Sequence, residues 1–474
     1  MRILLYPILL LMAFAACAAP NAAPSAPDDR EVIARNGFRG DEVGYSLFDL
    51  DSGAVLAERQ PDKPFVPASV AKLPAMAAAL AVLGPDHRFD TTLHATGTLT
   101  DGVLHGDLIL KGGGDPSLTT EGLLDLLGEL RAMGIARVAG RFLFDTSALP
   151  ELPEIDAGQP WTAGYNTGVG ALSLNFNRFQ LSWTRAAGRP VTATAWSVSD
   201  VGRFPLDSVG VEIAADGTAP FTPVQAAEGE RWRFAPRPGV ASAVWLPVGR
   251  PGLAAAHVFR RVAEGAGVAL PGPAPGLVPP EATLVALHRS EPLADLARQV
   301  LRYSNNLSAE LIGLAAARRL DPTVTTLARS ADVLTAHSAL SAPKTDWTGL
   351  RLVNHSGLSA QSRMTPNQMA ALLRGAGPEV LALLPGEDEG KVLPPGLRAK
   401  SGTLAYAKAL SGTLTTAGGR RLGFAFFVTD EAQRRAMDAT MDRRIAEIPP
   451  EARAWLARAR SLQTELLALW IAKM

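Results

Sequence analysis

Residues 67–84 read PASVAKLPAMAAALAVLG. A Pro-Ala entry, an Ala-rich apolar run and a closing Gly84 are the start and stop signals of a buried helix. Ser69 and Lys72 stand three apart at its beginning, on one face, so the lysine amine can reach the serine hydroxyl. A lysine serves as base toward a serine only when desolvation or neighbouring cations lower its pKa. The helix N-terminus beside Ser69 adds a positive dipole end and backbone N–H groups for an oxyanion. A serine that merely caps a helix produces the same letters, so Ser-x-x-Lys alone decides nothing. Pro74 follows Ser69 within the helix and removes an N–H, which is expected to kink its first turns.

The chain before this helix alternates apolar and polar residues over 43–59 around Asp51-Ser52-Gly53, as a β-hairpin does. After it the character changes. From 88 to 282 short strand-like stretches (103–110, 137–144, 172–183) are punctuated by Gly and Pro, with few helices. Helices return at 293–303, 307–319, 323–335 and 365–374, then strands at 405–416 and 421–429 around Ala417-Gly418-Gly419, then a helix from 450. The expected fold is one α/β domain, residues 28–87 and 283–474, split by a long β-rich insertion at 88–282 that forms extra accessory domains.

With 474 residues, 47% of them hydrophobic and 19% charged, the chain can bury a large core. Lys plus Arg and Asp plus Glu both number 46, and no basic stripe stands out, so a nucleic-acid partner is not expected. Residues 1–27 combine Arg2, an apolar run and small residues, the build of an export signal followed by an Ala/Pro tether. The run is too short for an ordinary spanning helix. Cys17, the only cysteine, excludes an intrachain disulfide. Its setting, FAAC, fits either a lipid-anchored first residue of the mature chain or a discarded signal cut at a small-x-small site. The expected location is periplasmic, with membrane attachment through Cys17 if it is lipidated.

Two further stretches hold candidate chemistry. RYSNNLSAE, starting at Arg302, contains a Y-x-N frame (Tyr303, Asn305) and an S-x-N frame (Ser304, Asn306). Lys400-Ser401-Gly402-Thr403 precedes a strand, where a cation beside a Gly can hold a carboxylate and an edge N–H can complete an oxyanion site. A solvated lysine in a turn is the plainer reading. In chain order Ser69-x-x-Lys72, Ser304-x-Asn306 and Lys400-Ser401-Gly402 make the set shared by penicillin-binding proteins and class A β-lactamases. The set is far more specific than any member. Scattered histidines without H-E-x-x-H or a Cys cluster argue against a metal site, and no G-x-S-x-G is present. KGGGD at 111–115 lacks the G-K-[ST] of a phosphate loop and reads as a tight turn.

Residues 43–429 resemble the penicillin-binding protein 4 type, or class C low-molecular-mass, of D-alanyl-D-alanine carboxypeptidase/endopeptidase. DLDSGAVLAERQPDKPFVPASVAKL, LKGGGDPSL, FDTSAL, ALSLNFN and HSGLSAQSRMTP carry the resemblance. It implies a penicillin-binding/β-lactamase-like domain with two extra domains between Lys72 and Ser304. It also implies cleavage of D-Ala-D-X bonds in peptidoglycan stem peptides through an acyl-enzyme on Ser69, no metal or other cofactor, and β-lactams as covalent inhibitors. Lys72 would be base, Ser304 a proton relay and Asn306 an orienting group. Lys400 and Ser401 would hold the terminal carboxylate, and the N–H groups of Ser69 and Thr403 the oxyanion beside Gly402. Asp145, in the stretch DTS, would recognise the peptide's side chain, against the plainer reading of a turn residue at a strand end. The S-x-N frame makes Tyr303 a packing residue and turns Asn305 away. His355 and Ser362 depart from the family's pattern, so the loop around SGLS is expected to differ in shape. Two other readings stay open: a class C β-lactamase-like hydrolase or esterase using the Y-x-N frame, and a non-catalytic cell-wall binding protein.

Overall fold

In the computed structural model, residues 28–184, 191–215, 219–224, 229–235, 242–386, 394–416, 418–445 and 448–473 are described. The stretch expected to be an export signal, Cys17 and Ala417 lie outside them.

The hairpin expected at 43–59 forms, Val43–Asp49 against Val55–Arg59, its turn closed by Asp49 Oδ1 accepting from the Asp51 and Ser52 N–H groups at 3.1 and 2.8 Å. It joins strands from the other end of the chain in one antiparallel sheet. The order is Leu397–Leu404, Ala407–Thr415, Arg421–Thr429, Val43–Asp49, Val55–Arg59. Every residue of Val43–Asp49 is buried because helices cover both faces of the sheet. Tyr45, Leu47, Leu410, Phe424 and Phe426 pack on the C-terminal helix Pro450–Lys473 through Trp455, Leu462, Leu466 and Trp470. Phe48, Ala409, Ala425 and Phe427 face the opposite way, into a core shared with helices Lys72–Leu83, Leu293–Tyr303, Asn306–Leu320, Leu327–Leu340 and Pro366–Gly375. The helix expected at 323–335 starts later, because Asp321 Oδ1 folds a turn onto Thr323 N and Thr326 caps the helix by accepting from Arg329 N at 3.2 Å.

The insertion is β-rich, as expected. Its five-stranded sheet runs Pro273–Pro275, Phe142–Asp145, Leu108–Gly112, Asp90–Ala95, Thr283–Arg289. A four-stranded sheet, two three-stranded sheets and helices Thr120–Ala132 and Pro251–Gly265 complete it around Phe142, Phe179, Trp232, Phe234 and Phe259. Thr283–Arg289 pairs with Asp90–Ala95. That pairing carries the inserted sheet past the seam expected at 282, and the chain re-enters the helical core at Leu293. The strand expected at 172–183 begins only at Arg178. Ahead of it Asn175, Phe176 and Asn177 all adopt left-handed backbone, with Asn177 Oδ1 accepting from Leu174 N at 3.0 Å. Local amide hydrogen bonds of this kind compete with strand pairing. The KGGGD glycines are more than a turn. A Cβ on Gly112 or Gly113 would lie 2.3 Å from Ala171 O or 2.2 Å from Asp90 O, so both exist for close backbone passage.

Candidate active site

Ser69 lies in a short 3-10 turn, Ala68–Ala71, that runs into the helix Lys72–Leu83. Pro74 is the third residue of that helix, within its first turn, just after the 3-10 turn passes into α-helix. Ala68, immediately before the nucleophile candidate, is held at φ 46°, a left-handed conformation costly for a side chain with a Cβ. The packing of the turn imposes it. Gly357 crosses so close that a Cβ there would meet Ala68 O at 1.9 Å, and a Cβ on Gly402 would meet Pro67 O at 2.7 Å and Ser69 N at 3.0 Å. Glycine is therefore required at both positions, and the strand Leu397–Leu404 lies directly against the Ser69 backbone.

Lys72 is 0% exposed. Its Nζ lies 3.1 Å from Ser69 Oγ, 2.7 Å from Asn306 Oδ1 and 2.7 Å from the Ser356 carbonyl. Burial pushes its pKa down to about 7, while the buried Glu310 carboxylate pulls the other way. The two acceptors leave Nζ one more partner, the serine oxygen, which a neutral amine can deprotonate.

The joint between helices Leu293–Tyr303 and Asn306–Leu320 orients the residues of the two frames differently. Ser304 ends the first helix in left-handed backbone (φ 60°, ψ 31°), and Asn305 caps the second by accepting from Ser308 N at 3.0 Å. Two residues thus turn the chain so that Ser304 and Asn306 face the same cleft. Ser304 Oγ accepts from Lys400 Nζ at 2.8 Å, and Asn306 Nδ2 donates to the Tyr165 carbonyl at 3.0 Å. Tyr303, the last residue of its helix, is 67% exposed beneath the Arg302 guanidinium, not packed as expected, because burial along that helix stops at Leu301. Asn305 is turned away from the cleft, and the cap is its task.

Lys400 alternates with Ser401 along its strand, so Lys400 is buried at 1% exposure while Ser401 and Thr403 are exposed. Thr403 Oγ1 accepts from Lys408 Nζ at 3.0 Å across the register pair, and burial pushes Lys408 down to about 8. Ser69, Ser304, Asn306 and Thr403 open on one cleft of about 540 Å³, walled on the far side by Gln159, Ala163 and Tyr165 of the insertion. Lys400 and Ser401 are not among its lining residues, and neither is Asp145. It ends the strand Phe142–Asp145, and its oxygens accept from Ser147 N at 2.9 Å and Val278 N at 3.0 Å. Burial opposes its charge, but these hydrogen bonds win and hold its carboxyl below the usual range. Each oxygen thus has a backbone donor inside the insertion.

Three contributors were not singled out in the sequence. Glu310 is 0% exposed, and its oxygens accept from His355 N at 2.9 Å and Ser356 N at 2.8 Å, fixing the turn whose carbonyl holds Lys72. A lone acid four residues after Asn306, in the apolar run LSAELIGLAAA, was its signal. The Tyr165 carbonyl and the Ser356 carbonyl are backbone groups and leave none. His355 fills the space left by Gly313, where a Cβ would come within 2.2 Å of its ring. Burial pushes it down to about 3, and its Nε2 lies 2.7 Å from Ser330 Oγ. Ser362 Oγ accepts from Val353 N at 3.1 Å and closes the loop containing SGLS. Among the described residues no acidic, His or Cys group could hold a metal, and no helix is long and apolar enough to cross a membrane.

An α/β domain with this site and a β-rich insertion is a penicillin-binding type of fold. It superposes on the crystal structure of penicillin binding protein 4 (dacB) from Haemophilus influenzae with a TM-score of 0.73 at 21% identity, covering 93% of this chain and 100% of that one. A second crystal structure of that protein, complexed with a novel β-lactam, matches with a TM-score of 0.69 at 21% identity over 90% of this chain and 96% of that one. The model of the D-Ala-D-Ala carboxypeptidase 3 (S13) family matches residues 30–383, and the chain belongs to that family of serine-type carboxypeptidases. It is 25% identical over 422 residues to the D-alanyl-D-alanine carboxypeptidase DacB of Haemophilus influenzae, covering 82% of this chain and 85% of the relative. The D-alanyl-D-alanine carboxypeptidase of Actinomadura sp. is 27% identical over 409 residues, 79% and 75% of the two chains.

Proposed function

We propose that the protein hydrolyses D-Ala-D-X bonds of peptidoglycan stem peptides through an acyl-enzyme on Ser69. The observation that carries this is Lys72: buried, held by Asn306 and Ser356, 3.1 Å from Ser69 Oγ and lowered to about 7. Ser69 Oγ attacks the carbonyl of the penultimate D-Ala as its proton passes to neutral Lys72. The N–H groups of Ser69, which Gly402 approaches closely, and of Thr403, the next residue on that strand, stabilise the oxyanion. Ser304, hydrogen-bonded to Lys400, gives its proton to the leaving amine and takes in its place the proton that Lys72 received from Ser69, and Lys400 with Ser401 receives the terminal carboxylate. Water then attacks the ester, giving a proton to the again neutral Lys72, which passes it to Ser69 Oγ as the acyl C–O bond breaks. Terminal D-Ala removal and crosslink cleavage use the same chemistry on different leaving amines, so both activities are proposed. β-lactams, which resemble the acylating bond, acylate Ser69; the β-lactam complex of the Haemophilus influenzae protein supports this.

The Y-x-N alternative is disfavoured by Tyr303, whose ring lies outside the cleft lining. The export signal at 1–27, with or without lipid on Cys17, is consistent with work in the periplasm, where this substrate is found. Incubation with purified pentapeptide muropeptides and crosslinked dimers, followed by mass spectrometry, tests the proposal. Loss of one D-Ala or conversion of dimers to monomers is expected, and no change in either substrate would overturn it.

A further inference from the structure

Among the described residues, the insertion lines the cleft through one segment, residues 154–166. Asn166, 2% exposed, ties its two ends. Asn166 Oδ1 accepts from Ile155 N at 3.1 Å and Asp156 N at 2.9 Å, and Nδ2 donates to Glu154 Oε2 at 3.1 Å and the Asp156 carbonyl at 3.0 Å. The result is a compact loop closed by its own side chains. Gln159 Nε2 donates to the Leu358 carbonyl at 3.2 Å, and the Tyr165 carbonyl accepts from Asn306 Nδ2 at 3.0 Å. Asn306 Oδ1 in turn holds Lys72. An amide whose two ends are both engaged cannot flip or drift, so the loop carbonyl decides where the Oδ1 acceptor sits.

What holds the loop comes from the far end of the chain. Arg444 Nη1 lies 2.7 Å from Glu154 Oε2, 2.9 Å from the Gln159 carbonyl and 3.1 Å from the Ala157 carbonyl. Its guanidinium stacks on Trp161 at 5.8 Å, and its own carbonyl accepts from Trp161 N at 3.2 Å. Arginine alone among the side chains combines a charged fork for a carboxylate and carbonyls with a flat face for an indole. No contact links Arg444 to Ser69 or Lys72 directly.

We propose that Arg444 is a positioning residue for acyl transfer: it staples the 154–166 loop of the insertion over the cleft, and the loop acts on Lys72 through the Tyr165 carbonyl and Asn306. The inserted domain is thereby a working part of the acylation site as well as its wall. This rests on the acyl-enzyme reading above. Misplacement of a catalytic contact by about 1 Å costs on the order of 100-fold, so release of the staple should slow acylation by roughly 10- to 100-fold.

The test is a double-mutant cycle on the full chain, with fluorescent penicillin as the probe and the acylation rate constant as the readout. Arg444→Ala is expected to slow acylation in the presence of Asn306 and to have little further effect in Asn306→Ala, while Arg444→Lys recovers part of the rate. A purely structural role would lower the rate by the same factor in both backgrounds, and that result overturns the proposal. An unchanged rate in a folded Arg444→Ala protein overturns it equally. If Arg444→Ala does not fold, Glu154→Gln, which weakens one of the three anchors, runs through the same cycle and is read in the same way. A wild-type protein that penicillin does not label would sink the acyl-enzyme reading itself, and this inference with it. A labelled wild type with independent single-mutant effects sinks only this inference.

Discussion

Glu310 offers the sharpest test of how the base is tuned. A carboxylate fully removed from water is costly unless hydrogen-bonded and paired, and Glu310 is both: two backbone N–H donors at 2.8 and 2.9 Å, with Lys72 as the opposing charge. Burial pushes its pKa up, against those hydrogen bonds and Lys72, just as burial pushes Lys72 down. Glu310→Gln keeps the shape and one acceptor but sets an NH₂ against one of the two N–H groups, an unsatisfied buried donor worth about 1–3 kcal/mol. Glu310→Ala frees both donors and leaves Lys72 without its buried counter-charge, for a loss of about 3–5 kcal/mol. The effect on the base has the opposite sense. Glu310 raises the Lys72 pKa, so its removal makes the ammonium form still less favourable. The acid limb of the acylation rate should then move to lower pH, by roughly one unit for a lost neighbouring charge. Penicillin acylation rates of Glu310→Gln from pH 5 to 9, beside its thermal unfolding, measure both. A limb that stays in place or moves to higher pH would refute the coupling of Glu310 to Lys72.

In the wild type the acylation rate should climb as pH rises through about 7 and level off above it, because only the deprotonated Lys72 accepts the Ser69 proton; a rate flat from pH 5 to 9 would argue against Lys72 as base. Ser304→Ala should cripple acylation while Tyr303→Phe leaves it nearly unchanged, as stopped-flow labelling would show; the reverse order would restore the Y-x-N frame. Gly402→Ala places a Cβ 2.7 Å from Pro67 O and 3.0 Å from Ser69 N, so it should depress acylation well before it lowers the melting temperature, by pushing the strand away from the Ser69 backbone.

The elements that periodicity and turn chemistry specify locally were legible in the sequence: the hairpin at 43–59, the Ser69 helix, the pair of helices around Ser304 and the strands at 405–416 and 421–429, whereas Lys400–Thr403, expected to precede a strand, lies within a strand of its own, Leu397–Leu404. The three motifs announced the cleft because each places its groups by local geometry, one turn of helix, one two-residue joint, one strand edge. What depends on distant backbone stayed hidden. The carbonyls of Ser356 and Tyr165 carry no side-chain signature, and Arg444 is one of many arginines until the fold brings it to Glu154 and Trp161. Helical spacing places Tyr303 on the face of Leu296 and Val300 but does not reveal that burial along that helix stops at Leu301. Asp145 was placed by resemblance of its stretch, which says nothing of the backbone donors that occupy its oxygens.

The central claim, a nucleophilic Ser69 served by Lys72, is tested most directly by peptide mapping of the protein after brief exposure to benzylpenicillin. The account predicts one penicilloyl ester, on the peptide containing Ser69, absent from Ser69→Ala and formed far more slowly in Lys72→Ala. An adduct on another residue, or none on a folded wild-type protein, would contradict it.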